Sequence, residues 1–170
     1  MIDAQRIVDG EFNSDNTENM CFPTISIKKL VTLSILTLGF YNIIWSYNVW
    51  KTIKVNFGYK HISVILRALF LAITNFSLFD ILNKYIKKHN GASFRPILFA
   101  ILFIVVNMLS SLRFPICLIA LFSVYFIATV QDRINEINKM HFPNAPVYNW
   151  TYANTFWAVF LGLWFVVILL

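Results

Sequence analysis

Five apolar runs, separated by short basic or proline-containing segments, dominate this 170-residue chain: residues 30–50, 62–79, 96–112, 116–130 and 150–170. Several approach the roughly 20 residues that a helix needs to cross a bilayer. Hydrophobic residues make up 58% of the chain and charged residues 13%, whereas soluble domains carry about a quarter charged residues. A core of this chain length cannot hide so much apolar surface, and large exposed patches aggregate. The pattern predicts an all-α, polytopic helical membrane protein.

Residues 1–27 are polar and acidic and contain no apolar core of a signal peptide. They are expected to be a disordered acidic tail, with residues 28–170 as a helical transmembrane domain. The second run is the least regular of the five. Arg67 at mid-bilayer costs about 2.5–3.5 kcal/mol on insertion scales. Ser63, Arg67, Thr74, Ser77, Asp80, Lys84 and Lys87 recur at helical spacing, roughly opposite Ile65, Ala68, Ala72, Phe79, Leu82 and Ile86. Such a helix suits the membrane interface. The architecture expected is four spans plus one interfacial or re-entrant amphipathic helix, with five spans as the alternative. Lysines and arginines divide about equally unevenly under both topologies, so charge bias does not choose between them. Pro96 suits a first helical position, Arg113, Phe114 and Pro115 make a corner, and Pro143 and Pro146 stop the helix before them.

Within "TLGFYNIIWSYNVW", residues 37–50, Gly39, Asn42 and Ser46 fall on one helical face, and Thr32 extends that face backwards. Small and amide side chains in a stripe let helices approach closely and hydrogen-bond in lipid. Thr32, Gly39, Asn42 and Ser46 are therefore expected to form a packing seam, or alternatively to line a polar path. Asn75, Asn107, Ser110, Ser111 and Thr129 are candidate partners. Tyr41, Trp45 and Trp50 read as an aromatic belt at the membrane surface.

No phosphate-binding glycine loop, paired-cysteine metal motif or His-x-x-x-His helix occurs. Cys21 and Cys117 have no pairing logic, and His61, His89 and His141 sit in polar segments. Asp132, Glu136 and His141 suggest a surface acid–base group. Ordinary helix ion pairs of Glu136 with Arg133 and Lys139, and of Asp80 with Lys84, explain those charges better. The expectation is a non-enzyme without cofactor or metal. The net charge of +6 fits anionic lipid, with Arg67, Lys84, Lys87 and Lys88 as the contacts. Nucleic acid is not an expected partner of so hydrophobic a chain.

"KKLVTLSILTLGFYNIIWSYNVWKTIK", "ISVILRALF", "SLFDIL" and "QDRINEIN" together resemble bacterial membrane proteins of the domain-of-unknown-function 4234 family. The shared features are a Thr-x-Gly-x-Tyr core, a Tyr/Trp-rich helix exit, an Ile-Ser-x-x-x-Arg-Ala element and a Gln/Asn-rich helix. Ile44 replaces the first aromatic of the usual Tyr-Trp pair, and residues 96–127 match only in hydrophobicity. The resemblance implies a bacterial inner-membrane protein and brings no activity. The function expected is a small multi-pass protein that packs helices, contacts anionic lipid or joins a membrane-protein partner or a second copy of itself. A channel or transporter component is the alternative.

Overall fold

A turn at Thr37 and Gly39 divides the first apolar run into two helices. The computed structural model describes residues 21–37, 39–57, 63–109 and 121–149, together with Thr151, Phe156, Val159 and Phe160. Helix α1 (Ile27–Leu36) ends at Thr37, whose hydroxyl donates to the Leu33 carbonyl at 2.7 Å. The same oxygen accepts the Tyr41 N–H at 3.0 Å, at the start of helix α2 (Phe40–Phe57). Gly39 adopts a φ of 91°, and its N–H returns to the Ser34 carbonyl at 2.7 Å. That left-handed backbone is open to glycine and strained for most other residues. Ser34 Oγ then donates to Asn42 Oδ1 at 2.8 Å, tying the two helices across the bend. The Thr-x-Gly-x-Tyr spacing thus encodes a corner.

The second run is also divided. Helix α3 (Val64–Leu69) stops at Phe70, and helix α4 (Leu71–Lys88) continues from it. Thr74 Oγ1 bridges the junction, bonding the Arg67 carbonyl at 2.7 Å and the Phe70 carbonyl at 3.1 Å. Helix α4 ends in a tight turn. Asn90, at φ 55°, donates its N–H to the Lys87 carbonyl at 3.1 Å, and Gly91 donates to the Ile86 carbonyl at 2.9 Å. This pair of bonds closes a Schellman motif with asparagine in the left-handed position. Helix α5 (Pro96–Met108) begins on Pro96, whose missing N–H leaves no helical bond unmade there. Helix α6 (Ser123–His141) ends just before Pro143. Strands β1 (Thr24–Ile25) and β2 (Val147–Tyr148) pair in parallel, Thr24 opposite Val147 and Ile25 opposite Tyr148.

Among the described residues no helix is long and apolar enough to cross a membrane. This corrects the expectation of a polytopic protein with four or five spans, and with it the transmembrane domain and the multi-pass inner-membrane location. The physical reason differs by run. Helix α1 has 10 residues and α5 has 13, so at ~1.5 Å per residue neither approaches the ~30 Å hydrocarbon thickness. Helices α2 and α4 each have 18 residues. Asn42, Ser46, Asn48, Lys51 and Lys54 dilute the first, and Asp80, Lys84, Lys87 and Lys88 the second. The fourth run continues into the polar half of α6. Its first residues, the corner at 113–115 and nearly all of the fifth run lie outside the described residues.

The core gathers the inner faces of α2, α4 and α6. Trp45, Trp50, Leu78, Phe79, Leu82, Ile86, Ile127 and Ile134 are fully buried in it. Phe22 and Ile25, upstream of Lys28, are buried there too. Phe79 meets the rings of Phe94, Phe99 and Phe103 edge to face, with centroids 6.0, 6.3 and 6.4 Å away. The aromatic belt is corrected as well: Tyr41, Trp45 and Trp50 all lie inside.

Candidate functional site

Helix α6 carries an amide ladder that the tertiary structure turns into a clamp. Gln131, Asn135 and Asn138 follow at steps of four and three, so they lie on one face. Asn135 Oδ1 accepts the Ile25 N–H at 3.3 Å, and its Nδ2 donates to the Ile25 carbonyl at 2.8 Å. Gln131 Nε2 donates to the Pro23 carbonyl at 3.0 Å and to Asn135 Oδ1 at 2.9 Å. Asn138 Nδ2 donates to the Phe22 carbonyl and to Thr24 Oγ1, both at 2.8 Å. Trp45 Nε1 closes the group by donating to Gln131 Oε1 at 2.8 Å. A segment too short to satisfy its backbone in a sheet is thus satisfied by side chains. Sequence alone does not single these residues out as a site, although their helical spacing is readable in "QDRINEIN".

With the segment fixed, a cavity of about 550 Å³ opens between it, α1, α6 and β2. Its volume falls in the range of small-molecule pockets. Lys28, Lys29 and Lys139 line it, as do Asp132 and Glu136. The only ion pair among the described residues is Lys84 with Asp80, at 3.0 Å. Glu136 therefore does not pair with Arg133 or Lys139 as expected. Arg133 instead donates to the carbonyls of Ala92 and Ser93. Lys29 is 7% exposed. Its ammonium donates to the Tyr148 carbonyl at 3.2 Å and to that of Asn149. Burial pulls its pKa below the ordinary lysine value.

The residues of the expected seam are dispersed by the bend. Thr32 is exposed and lines the 550 Å³ cavity. Gly39 and Asn42 line a second cavity of about 250 Å³ with Asn107. Ser46 is fully buried, and its hydroxyl has no hydrogen-bond partner among the described residues. Asn75 is equally buried and its amide equally unpartnered, whereas Thr129 donates to the Tyr125 carbonyl at 2.8 Å. Ser110 and Ser111 lie outside the described residues. The expected lipid contacts divide as well. Arg67 stacks over the buried Trp50 ring, 4.5 Å from its centroid, a contact worth about 0.5–2 kcal/mol. Lys84 pairs with Asp80 as expected, and Lys87 and Lys88 stand exposed in the last turn of α4.

His141 joins neither carboxylate in lining the 550 Å³ cavity. Its ring lies 5.4 Å from that of His89, which also meets Tyr85 at 4.7 Å and Phe142 at 5.4 Å. His89 Nε2 and the Tyr85 hydroxyl are buried without a partner among the described residues. Burial, then the nearby His141 and Lys88, hold the His89 pKa below its ordinary value. The Tyr85 phenol is pushed up by burial and, secondarily, by Cys21. A histidine held neutral by folding binds a proton more readily once unfolded. Stability is therefore full above about pH 6.5, the ordinary histidine value, and falls as pH drops toward the depressed folded value. A His89→Phe variant should lose less melting temperature than the native chain between pH 7 and 5. Parallel losses in the two would remove His89 as the cause.

Among the described residues no group of three or more His, Cys, Asp or Glu is placed to hold a metal. Comparison with protein-family models, curated proteins and solved structures finds no match to this chain. The likeness to the 4234 family thus rests on the quoted residues alone.

Proposed function

We propose that this chain acts without catalysis, by seating on the interface of an anionic lipid bilayer without crossing it. The observation that carries this reading is a cluster of exposed apolar side chains on a helix that ends in exposed lysines. Ile65, Leu66, Leu69, Phe70 and Ile73 project from α3 and the start of α4, Ile73 being 74% exposed. Ile101, Val105 and Met108 project from α5. The 250 Å³ cavity joins the α3–α4 junction to the start of α2 and the second half of α5, so these surfaces share one end. Lys84, Lys87 and Lys88 lie toward the other end of α4, where His89 meets the end of α6. An apolar surface this wide calls for a covering partner. Where they reach the bilayer surface, cations favour anionic headgroups by about 1 kcal/mol each.

Vesicle flotation tests the proposal. The native chain should float with phosphatidylglycerol vesicles more strongly than with phosphatidylcholine vesicles. Phe70→Asp with Ile73→Asp should abolish flotation on both lipids at unchanged helix content. Lys84→Gln, Lys87→Gln and Lys88→Gln together should remove the anionic preference while leaving the apolar contribution. A native chain that stays with the soluble fraction at every lipid composition would end the proposal and leave a second copy or a protein partner as the cover for that surface. A channel component is the weaker reading, because only Gly39 and Asn42 of the four seam residues line the 250 Å³ cavity.

A further inference from the structure

We propose that the 550 Å³ cavity is a binding site for a small zwitterion carrying a phosphate and a primary ammonium, of the phosphoethanolamine class. The inference does not rest on the bilayer proposal, since it concerns other residues and is measured on free ligand.

Three observations converge on this chemistry. First, both signs of charge line one cavity and remain unpaired with each other. Lys28, Lys29 and Lys139 stand in the wall with Asp132 and Glu136, yet the only ion pair within 4.0 Å among the described residues lies elsewhere, at Asp80 and Lys84. Second, Lys29 is a buried cation that among the described residues meets only carbonyl oxygens, those of Tyr148 and Asn149. An ammonium has three donors, so two carbonyls leave one proton for an anion. A buried charge without a counter-ion is costly, and a phosphate oxygen would supply that counter-ion. Third, the carboxylates stand four residues apart on α6, a spacing that puts them side by side. Two adjacent carboxylates suit a primary ammonium, which can donate to both.

The walls are held in register by groups other than those that would bind. The amide ladder fixes Pro23–Ile25 by its backbone, and the pairing of Ile25 with Tyr148 places the carbonyl that holds Lys29. The site therefore exists before a ligand arrives, which limits the ordering cost of binding. A ligand with phosphate alone would meet Asp132 and Glu136 as repulsive charges. One with ammonium alone would meet the three lysines in the same way. The cavity thus discriminates against a ligand of either single sign.

Calorimetric titration of the full chain with O-phosphoethanolamine, glycerol 3-phosphate and ethanolamine decides the matter. Phosphoethanolamine should bind saturably and at least about tenfold more tightly than either single-charge analogue. Asp132→Asn with Glu136→Gln should erase its advantage over glycerol 3-phosphate, and Lys139→Gln should weaken both phosphates. All three side chains are exposed, so the variants should keep the native helix content. A further arm separates the sources of the ligand. If phosphatidylethanolamine vesicles compete with the free compound, the natural ligand is a lipid headgroup; if they do not, it is a soluble phosphate ester. Absence of saturable heat, equal affinity for phosphoethanolamine and glycerol 3-phosphate, or a preference that survives loss of both carboxylates would each overturn the assignment.

Discussion

Replacing Asn135 with leucine is expected to lower the unfolding free energy by about 3–5 kcal/mol. Asn135 is 9% exposed and Ile25 is 1% exposed, so water cannot readily replace what the amide supplies. Its loss strands the Ile25 N–H and carbonyl together, and removes an acceptor from Gln131. Each buried polar group left unpaired costs about 1–3 kcal/mol. The apolar contacts that leucine adds offset only part of this. Asn135→Asp retains the acceptor for the Ile25 N–H but loses the donor to its carbonyl, and should fall between native and leucine. Denaturant titration would give the stability change. Hydrogen exchange at the Ile25 amide would show whether the segment itself has come loose. A leucine variant within about 0.5 kcal/mol of native would mean that the clamp contributes nothing net.

Gly91→Val should produce the other large effect, a loss of about 2–4 kcal/mol, with Gly91→Ala at about 1–2 kcal/mol. A Cβ at Gly91 would stand 2.9 Å from Ile86 Cγ2, 3.1 Å from Ile137 Cδ1 and 3.2 Å from the Ile86 carbonyl oxygen. The two methyl groups can give way a little. The oxygen cannot, because it already accepts the Gly91 N–H that closes the turn. The turn needs one residue with positive φ and another without a side chain, and the chain divides these roles between neighbours. Asn90 bears the φ of 55°, a conformation that asparagine tolerates. Asn90→Gly should therefore stay within about 0.5 kcal/mol of native or gain slightly. Equal effects of Asn90→Gly and Gly91→Ala in a thermal melt would contradict this division of roles.

The punctuation of this fold was legible in the chain. Pro96 starts a helix, and Pro143 follows the end of α6. Of the apolar face read from helical periodicity, Ala68, Phe79, Leu82 and Ile86 are buried, whereas Ile65 and Ala72 are exposed. The corner at Gly39 was read instead as part of a packing stripe, because a glycine inside an apolar run is ambiguous without its φ. The break at Phe70 had no local signal beyond an interrupted pattern.

The candidate cavity was only half visible. Asp132 and Glu136 stood out as an acid–base candidate, but Lys28 and Lys29, which line the same cavity, come from more than a hundred residues earlier in the chain. Lys29 reads as a flank of an apolar run, and only contact with the Tyr148 carbonyl makes it a buried ammonium.

By itself the sequence determined the helical character of the chain, the helix start at Pro96, the helix stop before Pro143 and the excess of positive charge. Those features follow from missing N–H groups, apolar periodicity and residue counts, all of them local. Tertiary structure alone decided that the first two apolar runs break into separate helices, that Trp45 and Trp50 lie inside, and that an amide ladder holds residues 110 positions away. Those outcomes depend on which surfaces meet. A polar side chain in an apolar run can seal a helix seam, cap a bend or clasp a distant backbone, and only its partner in space distinguishes them.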